Sequence, residues 1–242
     1  CIVDETADIS LSAKRIVFGK FLNCGQTCVA PDYILVHQSV KDKLIQELIK
    51  QIHKQYSNTP LQSPIYGKII HEGQYNRLLG LLDLSKVIYG GNSNKETLQI
   101  EPTIMDRVTW NDKVMQEEIF GPILPVLTYE YFDEMLNELK RKPHPLAFYL
   151  FTKNKDHISK VNNEMIFGGG CINDTIIHLA STELGFGGVG ASGIGKYHGK
   201  DGFDAFSHTK SIVDKKCCID LPMRYAPYNN NLYNKLIRFF MK

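Results

Sequence analysis

The residue best suited to chemistry is Cys28, in the stretch Asn-Cys-Gly-Gln-Thr-Cys at 23–28. Gly25 can adopt backbone angles that other residues avoid, and Pro31 prevents a helix from continuing past it. The thiol therefore lies at a break between two elements, where a small electrophile can reach it. It becomes a nucleophile once nearby donors or positive charge favour the thiolate. On spacing alone, a buried structural cysteine is the more common case.

A second group of chemically useful residues lies at 116–122, where Glu117 and Glu118 precede Phe120. One carboxylate can accept hydrogen bonds from two vicinal hydroxyl groups, such as those of a ribose. The alternative is a pair of glutamates on a solvated turn before a strand. Asn173 follows a predicted strand, and for this residue the alternative to a catalytic role is turn formation.

A glycine pattern, Gly188-x-Gly190-x-x-Gly193, matches the dinucleotide fingerprint by letter, and Asp214 follows at about the expected interval. That fingerprint must join a strand to a helix in a βαβ unit. Here it falls in a glycine-rich segment between residues 185 and 202 instead. We therefore do not interpret it as a phosphate site.

Taken together, these residues resemble a known enzyme family. Cys28 with its Gly-Gln-Thr lead-in is similar to the active-site signature of NAD(P)-dependent aldehyde dehydrogenases, and Val-Ala-Pro-Asp-Tyr at 29–33 is similar to their class 3, fatty-aldehyde branch. Further stretches match in the expected order, at 116–122, 145–147, 186–200 and 206–208. The resemblance covers roughly residues 1–215.

The resemblance implies a reaction and a role for each residue. Cys28 would attack an aldehyde to form a thiohemiacetal, whose oxidation by NAD or NADP leaves a thioester for water to hydrolyse. The backbone N–H of Cys28 would be one oxyanion donor. Glu118 would accept hydrogen bonds from the nicotinamide ribose, with Phe120 near that ribose. Asn173 would lie close to the reaction centre.

The resemblance also implies parts that would lie upstream of residue 1. These are the coenzyme-binding domain, an oxyanion-hole asparagine and the general-base glutamate of a Glu-Leu-Gly-Gly-Lys-like motif. Losing a general base costs roughly 10²- to 10⁴-fold in rate, and without the coenzyme-binding domain little would hold NAD, so we expect that the 242 residues alone do not oxidise aldehydes. The alternatives are a truncated, non-catalytic oligomerisation module, and a thiol hydrolase in which Cys28 works with an unassigned histidine.

Composition describes an ordinary globular protein of 242 residues, with 43% hydrophobic residues and a net charge of +2. That charge gives no reason to expect a nucleic-acid partner. The six cysteines show neither a disulfide framework nor zinc spacing, so we expect no metal site and a reducing, cytoplasmic location. There is no run of eighteen apolar residues and no signal peptide. Because the chain starts with Cys1, an upstream region can be missing.

The elements that must position these residues alternate between strand and helix. This order predicts an α/β fold, a three-layer, largely parallel sheet with helices on both faces. Asp8 is expected to cap a first helix whose inward positions include Leu11 and Leu22. Strands are predicted at 1–3, 33–37, 86–89, 98–105 (interrupted by Pro102), 123–129, 147–151 and 166–172, and further helices at 39–52, 71–84, 131–141 and 155–164.

We expect one catalytic domain over residues 1–205 and a separate C-terminal region over 206–242. Residues 206–216 are extended in pattern, and in the resembling family such a strand crosses to a partner subunit. An ordinary edge strand is the alternative, so a homodimer through 206–216 is a prediction. The apolar face of residues 231–242 is too short to span a membrane. It can dock on the body or touch a membrane surface, and we favour docking.

Overall fold

The structure, a computed structural model, describes residues 1–228 and 230–240. Contacts divide the chain into two units, Cys1–Phe206 and Ser207–Lys242. The strands of the described residues are β1 (Ile2–Val3), β2 (Ile34–His37), β3 (Val87–Tyr89), β4 (Ser93–Asn94), β5 (Gln99–Ile100), β6 (Thr103–Met105), β7 (Ile123–Tyr129), β8 (Ala147–Phe151) and β9 (Gly169–Ile172). The helices are α1 (Ile9–Phe21), α2 (Lys41–Tyr56), α3 (Glu72–Leu79), α4 (Phe132–Leu139), α5 (Lys155–Glu164), α6 (Gly199–Ala205) and α7 (Asn231–Phe240).

Seven strands form one sheet in the order β3-β6-β7-β2-β1-β8-β9. All neighbours in it are parallel except β3 and β6. The short central strand β1 pairs Ile2 with Leu35 of β2 and with Leu150 of β8. Strands β4 and β5 form a separate antiparallel pair. The predicted, largely parallel sheet is therefore confirmed.

The two faces of the sheet carry two hydrophobic cores, because alternate strand residues point to opposite sides. One core joins residues such as Val3 and Val36 to helices α1 and α2. The other joins their neighbours, such as Ile2 and Leu35, to helices α3, α4 and α5. Helices on both faces make the three layers that the alternation of elements predicts.

Local sequence patterns predicted several elements correctly, but they assigned two residues wrongly to the buried face of the first helix. Strands β7 and β8 and helix α5 have the predicted bounds, and Asp8 Oδ1 accepts the Leu11 N–H at 3.1 Å as the cap of α1. The inward assignment of Leu11 and Leu22 was wrong, since they are 39% and 42% exposed, whereas Lys20 is only 1% exposed. At 100° per residue, the buried face that includes Ile16 passes through Lys20 and leaves both leucines on the far side.

Other bounds differ by a few residues. The helix predicted at 71–84 ends at Leu79, and the strand predicted at 166–172 begins at Gly169. The predicted strand 98–105 is two strands, β5 and β6, which separate at Pro102 and pair with different neighbours. Proline lacks the N–H that a continuous ladder would use at this position.

The second unit contains α7, preceded by irregular chain with one short 3-10 helix at Pro222–Arg224. Residues 207–216 form no strand in this structure. The segment is open to solvent, with Val213 89% exposed. A strand is defined by a hydrogen-bonded neighbour, so pairing of this segment with a partner subunit stays a prediction. Residues 241 and 242 of the predicted tail lie outside the described residues. Throughout the described part of the chain, every helix is too short or too polar to cross a bilayer.

Candidate active site

The turn that carries Cys28 is built from three successive left-handed residues. Helix α1 ends at Phe21, and Asn23, Cys24 and Gly25 follow with φ of 53°, 55° and 73°. A Cβ on Gly25 would lie 2.3 Å from the carbonyl oxygen of Gly121. Both the backbone angle and this close approach require glycine, so the predicted turn at Gly25 is confirmed.

Gln26 attaches this turn to a neighbouring loop. Its Nε2 donates to the carbonyl oxygens of Asn23 at 3.1 Å and Lys68 at 3.0 Å, and its Oε1 accepts the Ile70 N–H at 2.9 Å. One amide side chain thus connects the Cys28 turn to a segment more than 40 residues away. The start of the Cys28 loop is held in one position by these three bonds.

The far side of the loop is held by β8. The buried Tyr149 hydroxyl donates to the carbonyl oxygen of Val29 at 2.7 Å. Cys28 lies between the two anchors and is exposed. Cys24 is the opposite case, because burial raises the pKa of its thiol to about 11 and keeps it neutral. The described residues supply no acceptor for the Cys28 backbone N–H, which leaves this donor free for a substrate oxygen.

Cys28, Glu118 and Phe120 line one cavity of about 840 Å³. The structure thus brings together three of the four predicted site residues. The cavity lies at the edge where the parallel strands begin, since Tyr33 and Ala147 also line it. Its remaining walls are largely apolar and aromatic, with contributions from Trp110, Met115, Leu139, Pro143, Leu146, Phe148 and Met165.

The predicted coenzyme residue Glu118 belongs to a charged group that includes a buried lysine. Burial lowers the pKa of Lys20 to about 8, against the opposing attraction of Asp32 and Glu118. Desolvation raises the pKa of Glu118, as does Asp32, while Arg77 and Lys20 act in the other direction. Asp32 also accepts the Ile119 N–H at 3.1 Å, so it holds the segment after Glu118 while its charge opposes ionisation of the Glu118 carboxyl.

Asn173 lies apart from this cavity. It is left-handed, with φ of 58°, and both ends of its amide bind the backbone of Thr152. The carbonyl oxygen of Asn173 accepts a hydrogen bond from Arg15. These contacts favour turn formation, the alternative weighed for this residue, and a catalytic role for Asn173 stays a prediction.

The glycine fingerprint is a tight reversal in the structure. Gly190 and Gly193 form an isolated antiparallel bridge, and the Ser192 hydroxyl accepts the Val189 N–H at 2.9 Å. The segment lies between β9 and α6 with neither element adjoining it. No cluster of three or more metal-binding side chains occurs among the described residues.

Several site residues escaped the sequence analysis. For Lys20 the sequence did contain one indication, because its helical spacing from Ile16 and Val17 places it on the buried face of α1. For Arg77 and Gln74 of α3 the sequence contained no such indication, since they contact the loop around Glu118 across some forty residues of sequence.

Comparison with known proteins places this geometry in a family. The model of the aldehyde dehydrogenase family matches residues 1–212. The chain is similar to 4,4'-diaponeurosporen-aldehyde dehydrogenase of Staphylococcus aureus, with 49% identity over 243 residues, covering 100% of this chain and 52% of that protein. It is 43% identical over 215 residues to aldehyde dehydrogenase family 3 member A2 of Rattus norvegicus, covering 89% of this chain and 44% of the relative.

A dog protein, the dimeric NADP-preferring aldehyde dehydrogenase of Canis lupus familiaris, is 40% identical over 229 residues, covering 94% of this chain and 51% of the relative. A solved substrate-bound structure of Staphylococcus aureus AldH superposes with a TM-score of 0.93 and 49% identity, covering 100% of this chain and 53% of that one. The chain thus spans about half the length of the relatives it matches.

Proposed function

The chain belongs to the aldehyde dehydrogenase family, and from this premise we propose that it supplies the catalytic half of an enzyme that oxidises aldehydes to carboxylic acids with NAD or NADP. The observation that carries the proposal is the shared cavity, in which the exposed thiol of Cys28 faces the same space as Glu118 and Phe120. A nucleophile and a ribose-binding carboxylate in one space are what this reaction needs.

The chain's own groups would act in the first covalent step. The Cys28 thiolate adds to the aldehyde carbon, a C–S bond forms, and the carbonyl electron pair moves to oxygen, where the free Cys28 N–H can donate. The anchors from Gln26 and Tyr149 keep the sulfur and this N–H in a fixed relation. Oxidation then leaves a thioester on Cys28, and water hydrolyses it to the acid and the free thiol.

The cavity residues fit a nicotinamide coenzyme. Glu118 offers two acceptor oxygens at the wall, and the Phe120 ring beside it is 37% exposed toward open space. A carboxylate suits vicinal ribose hydroxyls because it can accept from both. When bound, the coenzyme would supply the two-electron acceptor that the protein side chains lack.

For the substrate we propose an apolar aldehyde, aliphatic or aromatic. The support is the lining of the cavity, where Trp110 packs edge-on against Tyr33 at 5.3 Å between ring centroids and Met115 and Met165 add flexible apolar surface. The name of the Staphylococcus aureus relative, 4,4'-diaponeurosporen-aldehyde dehydrogenase, likewise designates an aldehyde as that protein's substrate.

We also propose a homodimer in which residues 206–216 pair with a partner, in keeping with the word dimeric in the name of the dog relative. A cytoplasmic location stays a prediction.

Since the relatives are about twice as long, we infer that complete turnover uses residues beyond these 242. The competing hypothesis, a non-catalytic oligomerisation module, gains nothing from an exposed thiol at the cavity.

The test is an ester burst with the full-length gene product, because acylation of the thiol by an activated ester needs no coenzyme. Wild-type protein should release about one equivalent of alcohol per site before slow turnover. Cys28→Ala should abolish both this burst and coenzyme-dependent aldehyde oxidation. Cys218→Ala, which removes another exposed thiol, is the control and should behave as wild type. A normal burst in Cys28→Ala would refute the proposal.

A further inference from the structure

Two side chains on α3 bind three consecutive carbonyl groups of the loop that carries Glu118. Arg77 Nη1 donates to the Glu118 carbonyl at 3.3 Å, and Arg77 Nη2 donates to the carbonyl of Ile119. Gln74 Nε2 donates to the Phe120 carbonyl at 3.3 Å. The Gln74 Oε1 in turn accepts from Arg77 Nε at 2.8 Å, which orients the guanidinium. We call these two side chains the α3 clamp.

The loop needs such a clamp because its backbone is unfavourable. Phe120 has φ of 50°, in the left-handed region that a bulky residue rarely adopts. A residue of this kind persists only where its surroundings hold it, and such residues concentrate at ligand sites. The clamp holds the carbonyl side of the loop, while Asp32 accepts the Ile119 N–H on the other side.

The clamp also places a positive charge beside Glu118. Arg77 lowers the pKa of the Glu118 carboxyl, against the raising effects of desolvation and Asp32. Its Nη1 lies 3.3 Å from the Glu117 carboxylate, so the guanidinium bridges a side chain and the adjacent backbone. A guanidinium presents fixed, forked donors to both groups at once, whereas a lysine ammonium is a point charge on a flexible stem.

We propose that Arg77 and Gln74 are positioning residues for the coenzyme, which hold the Glu118 carboxylate in the geometry that binds the nicotinamide ribose. This inference rests on the proposed function, because it takes Glu118 as the ribose-binding group. Neither α3 side chain lines the cavity, so the clamp acts through the loop.

The test measures coenzyme affinity in the full-length gene product by titration of the reduced coenzyme's fluorescence. Arg77→Met should weaken coenzyme binding by about 10-fold, since it removes two charge-assisted hydrogen bonds from the loop. Gln74→Met should weaken it less, and Arg77→Lys should recover part of the loss. Asn76→Ala, an exposed position on the same helix, is the matched control and should bind coenzyme as wild type does.

A double-mutant cycle with Glu118→Gln separates positioning from general destabilisation. If the clamp acts through Glu118, Arg77→Met should cost less than about 2-fold in the Glu118→Gln background. The coenzyme-independent ester burst should keep its amplitude in all these variants, because the Cys28 anchors are untouched.

Two results would overturn the inference. One is unchanged coenzyme affinity in both Arg77→Met and Gln74→Met, and the other is an equal loss from Arg77→Met with and without Glu118→Gln. If Glu118→Gln itself leaves coenzyme binding unchanged, the failure lies in the assignment of Glu118 under the proposed function. The two failures are therefore distinguishable.

Discussion

The buried ammonium group of Lys20 should make the folding stability of this protein depend on pH. In the folded protein Lys20 loses its proton near pH 8, whereas a solvated lysine keeps it to about 10.5. Between these values the unfolded chain binds more protons than the folded one. Stability must therefore rise with pH across this window, and below it Lys20 contributes nothing to the pH dependence.

The expected change in unfolding free energy follows from the shift of the Lys20 pKa. The interval between 10.5 and about 8 corresponds to about 3 kcal/mol, at about 1.4 kcal/mol per pH unit. Side-chain exposure is 1%, so solvent screens little of this effect. The penalty of burying the charge is largest at neutral pH and would be larger without Asp32 and Glu118, which both favour the ammonium form.

The perturbation is Lys20→Met, which keeps a long side chain and removes the charge. Urea unfolding of the full-length gene product is followed between about pH 7 and 10.5 for wild type and variant. The difference in unfolding free energy, wild type minus variant, should grow by about 3 kcal/mol with rising pH. Tyr33 and Tyr56, whose pKa values burial raises to about 12, titrate in both proteins and cancel in the difference.

The control is Val17→Ala, a fully buried neutral neighbour on the same face of α1. It should lower stability by an amount that does not change with pH, since no proton is involved. A wild-type minus Lys20→Met difference that is flat across the window would refute the reasoning, because it would mean that Lys20 keeps an ordinary pKa in the folded protein.

Three further predictions concern the Cys28 turn and the opposite edge of the sheet. Gly25→Ala should abolish the ester burst and lower the melting temperature, because its Cβ would lie 2.3 Å from a carbonyl oxygen. Gly195→Ala, also left-handed but in open space, should cost only about 1–2 kcal/mol. Gln26→Met should slow acylation in the burst by about 10-fold, with coenzyme affinity unchanged. Burial raises the pKa of Asp4, but hydrogen bonds, one of them from His157, outweigh it and lower the pKa to about 2. Asp4→Asn should therefore cost about 1 kcal/mol near neutral pH, and this cost should vanish as the pH falls toward 2 in acid titrations of stability. Each of these three expectations fails if the variant matches wild type in its assay.

Most secondary structure could be predicted because its causes are local. The apolar run of β7 and the Asp8 cap of α1 act within a few residues, and both elements are as expected. The buried face of α1 was harder to predict, because the sequence around a lysine does not indicate which carboxylates will lie near it after folding. Lys20 is tolerated there only because Asp32 and Glu118 arrive from other parts of the chain.

In the candidate site, too, some features could be predicted from local sequence and others depend on the fold. Cys28, Glu118 and Phe120 could be named from their motifs, and the structure places all three at one cavity. Asn173 could be placed at a turn, but its hydrogen bonds to Thr152 depend on how β8 and β9 pair. A motif identifies residue types, and it does not say which groups a side chain will meet after folding.

The sequence by itself determined the order of elements and the motifs that carry the family resemblance, Cys28 among them, because periodicity, caps and turn residues act over short distances. Only the tertiary structure decided what holds the site together. The α3 clamp reaches the Glu118 loop across 41 residues, and Gln26 reaches Lys68 across 42. Such contacts form when helices and loops pack on a common sheet, and pairwise side-chain geometry of this kind leaves no periodic trace in the chain.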